Sequence, residues 1–148
     1  MRSDVLNSNS KSYALSNDDG VFKYTSYRAT ITVANGATSG KESAIAMPDN
    51  FVPVAVALTV VTASTNGVNF QDVGSDANPD GYVDGAAIAV NSAGFKGVIP
   101  CNGELGVGNP TAGAVIGSPD EVECTISGDP GSDTVLQFDI IGFECTLN

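Results

Sequence analysis

The sequence predicts an all-β protein: a two-sheet antiparallel β-sandwich of jelly-roll type, preceded by an extended N-terminal arm. Three observations carry this. The 148 residues include 17 glycines and 7 prolines, with abundant Val, Ala and Thr and few long helix formers. Apolar, β-branched runs recur along the chain, most of them separated by loops carrying Gly, Asn, Asp or Pro. No stretch shows a convincing helical period. A chain of this length forms one domain and buries roughly 70% of the surface it exposes when unfolded, enough for a single core.

The elements follow in order. Residues 1–20 are polar, with only Val5, Leu6, Tyr13, Ala14 and Leu15 as scattered apolar side chains. Such a segment buries too little apolar surface to offset its ordering entropy by itself. It becomes ordered by lying along something, either its own domain or a neighbouring subunit. Residues 1–20 are therefore a candidate assembly arm, with Arg2, Lys11, Tyr13 and Leu15 as candidate partner contacts. Residues 21–148 form the single sandwich domain.

Within that domain, "VFKYTSYRATITVA" (21–34) alternates as one long strand or a kinked pair, and "NGATSGKES" (35–43) is a loop. "FVPVAVALTVVTAS" (51–64) is the most apolar run. Its β-branched content and Pro53 argue against helix and for a strand whose start or edge position tolerates proline. Shorter strands follow at 67–73, 86–90 and 94–99, with a weak one at 112–117. Strong strands close the chain at 121–127 and 134–147. Eight or nine strands in two sheets suit a jelly roll.

Charge is unevenly placed. Residues 1–41 hold Arg2, Lys11, Lys23, Arg28 and Lys41 against three acids, whereas residues 42–148 hold Lys96 against 14. A body this acidic repels phosphate backbones, so no nucleic-acid partner is expected. No apolar run of membrane-spanning length occurs, and the N-terminus has no signal-peptide h-region. These features predict a protein made in a cytoplasm, with no membrane partner.

Three cysteines (Cys101, Cys124 and Cys145) with no CxxC spacing and no histidine argue against zinc and against a disulfide framework. If "GDPGSD" (128–133) is a hairpin loop, Cys124 faces Gln137 and Cys145 lies about 26 Å further on. Buried thiols acting as small hydrophobes are the reading to prefer.

The stretch "DANPDGYVD" (76–84) has two readings. Asp76, Asn78, Asp80, Tyr82 and Asp84, with Gly81 at the sixth position, match the opening of a calcium loop. The twelfth position, which normally supplies a bidentate Glu, is Ala87. Alternatively, Pro79, Asp80 and Gly81 form a three-residue hairpin loop, which places Asp76 opposite Asp84. The turn needs no ion and is preferred, so no cofactor is expected; Ca2+ is the alternative.

Catalytic constellations are missing. Without histidine there is no Ser–His or Cys–His pair. "GELGVGNPTAG" (103–113) has glycines but lacks the Lys-Ser/Thr of a phosphate loop. With no tryptophan to form a sugar platform, glycosidase chemistry has little support; a lectin-like sugar binder fits better, because β-sandwiches often hold ligands in loops with calcium.

A small acidic β-sandwich (21–148) with a polar arm (1–20), the arm lying in an N-terminal part (1–41) of opposite charge bias, resembles the decoration, or cement, proteins of tailed-bacteriophage heads. That resemblance implies a non-enzymatic virion protein, a dimer or trimer over capsomer junctions, bound to the major capsid protein or other virion subunits. It also implies that the arm crosses to neighbouring subunits and locks the shell. Two other readings share these features. One is a different virion component (a head fibre, tail or jelly-roll coat protein). The other is a calcium-dependent carbohydrate- or surface-binding module.

Overall fold

The computed structural model describes residues 15–17, 20–45, 51–105 and 120–147. The ten strands within them are β1 (Leu15–Asn17), β2 (Gly20–Val33), β3 (Ser39–Ile45), β4 (Phe51–Thr62), β5 (Asn69–Ser75), β6 (Asn78–Val83), β7 (Ile88–Ala89), β8 (Gly94–Pro100), β9 (Asp120–Ile126) and β10 (Thr134–Leu147). There is no helix among the described residues. The first sheet has the order β1-β2-β10-β4-β8, and the second β3-β9-β5-β6 with β7 also on β5. All pairs are antiparallel. The fold is a β-sandwich.

The pairing is nested. β2 joins β10, β3 joins β9, β4 joins β8 and β5 joins β6, as in one long hairpin rolled onto itself. The sandwich forms because each strand offers one apolar row. Ala29, Ile31 and Val33 of β2 lie beside Leu136, Phe138 and Ile140 of β10, all without solvent exposure. They meet Phe70, Val73, Val122 and Cys124 of the second sheet, where Phe70 and Phe138 pack with ring centroids 5.3 Å apart. Fully burying one such side chain contributes about 1.5–3 kcal/mol.

β4 shows how a proline fits a central strand. Phe51 and Pro53 are buried, then the phase slips and Val56, Leu58 and Val60 face inward. The slip coincides with a register shift opposite Ile141 and Gly142 of β10. Pro53 precedes the pairing with β8, which begins at Ala55, so its missing N–H costs no ladder bond there.

Three expectations are corrected. The segment read as a loop at 35–43 contains most of β3, whose pairing to β9 stabilises a polar sequence with little strand propensity. β9 and β10 belong to different sheets, so "GDPGSD" crosses the sandwich and is not a hairpin loop. Cys124 faces Val73 and Gly40, not Gln137. Finally, the turn expected at Pro79–Gly81 falls earlier, at Asp76–Ala77, and all of Asn78–Val83 is strand. Ser75 pairs with Asn78 across it, and the Ser75 Oγ accepts the Asn78 N–H at 3.1 Å. The weak strand expected at 112–117 lies outside the described residues.

Candidate functional site

β6 and the segment after β8 form an open polar cleft of about 360 Å³, lined by Asn78, Asp80, Asp84, Asn102, Gly103 and Glu104. Backbone bonds fasten its two walls. The Tyr82 carbonyl accepts from the Asn102 and Gly103 N–H groups, both at 3.1 Å, and the Gly81 carbonyl accepts from Leu105 at 2.7 Å. Asn102 also clamps Asp84: its Oδ1 accepts the Asp84 N–H at 2.9 Å, and its Nδ2 donates to the Asp84 carbonyl at 2.8 Å. Only glycine fits at 103, because a Cβ there would collide with the Asp80 and Gly81 backbone.

The calcium pattern is thus partly assembled. Asn78, Asp80 and Asp84 share the cleft, whereas Asp76 turns away to Lys41. The Lys41 Nζ lies 2.9 Å from Asp76 and 3.0 Å from Glu121, and it holds the Asp76 carboxyl below the usual carboxylate range. Tyr82 is fully buried, and its carbonyl, the expected ligand, already accepts two hydrogen bonds. Glu104 supplies a carboxylate from another loop, but it accepts a hydrogen bond from Asn78 Nδ2 at 3.3 Å. Among the described residues, no three His, Cys, Asp or Glu side chains come close enough together to hold a metal ion. Asn102 and Glu104 were not singled out in the sequence; the Asn102-Gly103 dipeptide, a turn signal, is the feature that marks them.

Of the arm contacts, Arg2, Lys11 and Tyr13 lie outside the described residues. Leu15 is in β1, opposite Phe22, at the edge of the first sheet. Cys101 and Cys124 are buried free thiols, each pushed up to about 12 by burial. The side chain of Cys145 lies outside the description.

The two sheets present different outer faces. On the first, alternation turns Tyr24, Ser26, Arg28 and Thr30 of β2 outward beside Phe143, Ile141, Asp139 and Gln137 of β10. β4 adds Val52, Ala57, Thr59 and Val61, and β8 adds Val98 and Phe95. Tyr24 and Phe143 meet edge to face with centroids 5.1 Å apart. Phe95 is 65% exposed, Val98 57% and Val61 51%. Arg28 and Asp139 pair at 2.8 Å in the middle of this face, and Lys96 lies at its edge strand. Apart from Asp139 and from Glu144 of β10, which accepts a hydrogen bond from the Tyr27 hydroxyl, the described acids are elsewhere. Glu42, Asp72, Asp76, Asp80, Glu121 and Glu123 belong to the second sheet and its turn, and Asp84, Glu104, Asp129 and Asp133 to loops.

No known protein family matches this sequence, and no curated protein does. Among solved structures, the chain is similar to one described as "Cyanophage Pam1 capsid asymmetric unit". The two share 14% sequence identity over 97% of this chain and 99% of the other, with a TM-score of 0.49.

Proposed function

We propose that this chain is a non-enzymatic structural protein of a virion, a decoration (cement) protein on the outer surface of a capsid lattice. The observation that carries the reading is the placement of charge. Carboxylates cover the second sheet and the loops, while the arm, close to neutral with Arg2 and Lys11 against three acids, joins the domain through β1 at the edge of the other sheet. An acidic outer layer keeps particles apart, and an arm joined to the opposite sheet suits contact with a neighbouring subunit. The nested strand pairing supports a jelly roll. The chain has no histidine to supply a general base. Binding only the assembled lattice stabilises the shell by mass action, repeated at every site.

Co-sedimentation with capsids of the virus from which the sequence derives tests this. The full chain is expected to pellet with the shells, and a chain lacking residues 1–14 is expected to stay in solution while keeping its β-sheet circular dichroism. Full occupancy by the truncated chain would refute the role of the arm. Shells that fall apart when the protein is removed would point instead to a coat protein. The calcium-dependent module makes a separate prediction, a melting temperature that EDTA lowers and Ca2+ restores; the decoration reading expects no change.

A further inference from the structure

We propose that the outer face of the first sheet is a self-association surface, and that its occupant is the same face of a second copy of this chain. The contact goes beyond the decoration reading and stands whether or not the chain binds a capsid.

The argument begins with composition. The large apolar side chains exposed among the described residues, Tyr24, Val61, Phe95, Val98 and Phe143, all belong to strands of the first sheet. Exposed apolar groups gathered on one face mark an interaction site, whereas scattered ones do not. The face spans four strands about 4.8 Å apart and about 26 Å of strand length, a footprint of roughly 500 Å². Two such faces bury about 1,000 Å², at the lower limit for a specific contact.

Electrostatics chooses the occupant. Each copy carries a net charge of −11, so two copies repel through most of their surface. The first sheet is the exception, because its central charges are Arg28 and Asp139, which cancel. Stacking this face on itself brings no uncompensated carboxylates together, whereas stacking the second sheet would oppose Asp72, Glu121 and Glu123. A two-fold contact between identical patches is isologous. With Arg28 and Asp139 side by side on neighbouring strands, the arginine of each copy can reach the aspartate of the other. The charge pair then sets the register, and the apolar groups on either side of it provide the burial.

Sedimentation velocity on the full chain tests the proposal. An interface of this size predicts a monomer–dimer equilibrium with a dissociation constant on the order of micromolar. Added salt should strengthen it, because screening the repulsion between acidic bodies outweighs weakening one exchanged ion pair. Phe95→Glu and Val98→Glu, both at exposed positions, are expected to weaken the dimer at least tenfold without moving the melting temperature. Glu123→Gln on the second sheet should leave the dimer intact. A monomer throughout the range overturns the proposal, as does a dimer indifferent to Phe95 and Val98. A trimer overturns it too, because one face cannot pair with itself around a three-fold axis.

Discussion

At the residue scale, surroundings decide what the chemically versatile side chains do. Cys101 and Cys124 are buried among apolar groups, which disfavours the thiolate, the reactive form. In a Cys145→Ser background at about pH 8, where a free thiol titrates, both are expected to resist a disulfide-exchange reagent until denaturant is added. Rapid labelling of the native protein would contradict the burial described. The carboxylates of the 76–84 stretch diverge in the same way. Lys41 claims Asp76, while Asp80 and Asp84 stay with the cleft. The spacing of the stretch was legible, but that division was not, because Lys41 arrives from a strand 35 residues away in the sequence.

At the element scale, the strands with clear alternation, β2, β4 and β10, were legible to within a residue or two. β3 was not, because its polar sequence becomes a strand through pairing with β9, a tertiary effect. The turn at Asp76–Ala77 was hidden by the stronger turn chemistry of Pro79–Gly81 just beyond it. The loops at one end are tied by Asp129, whose Oδ1 accepts the N–H groups of Gly131 at 2.8 Å and Gly36 at 3.0 Å. Those two donors, Gly131 first, hold its carboxyl below the usual carboxylate value. A carboxyl depressed in the folded state contributes stability that is present above its unfolded value, about 3.9, and lost as pH falls through the folded one. Asp129→Asn is therefore expected to lower the melting temperature at neutral pH and to reduce its fall below about pH 4. Identical acid profiles for the two proteins would remove Asp129 from this role.

At the scale of the whole molecule, nested pairing makes most strand contacts distant ones in sequence. Apart from β1–β2, β5–β6 and β5–β7, the partners lie far apart along the chain. Loop-closure entropy must be met before those pairs contribute, so refolding is expected on a millisecond-to-second timescale, as for other all-β domains. Stopped-flow fluorescence of the tyrosines would measure it, and a microsecond phase carrying the full amplitude would refute the expected slowness. The sandwich class was legible from composition and spacing. The nesting was not, since it depends on which distant edges meet.

The position of β10 has a consequence for how the chain is made. It lies between β2 and β4, pairs with both, and is the last of the ten strands to be synthesised. While a ribosome is still translating this gene, the first sheet has no middle, and β2 and β4 wait with their apolar rows uncovered. Any pause in translation before Thr134 lengthens that wait, and with it the window in which nascent chains on neighbouring ribosomes can pair with one another instead.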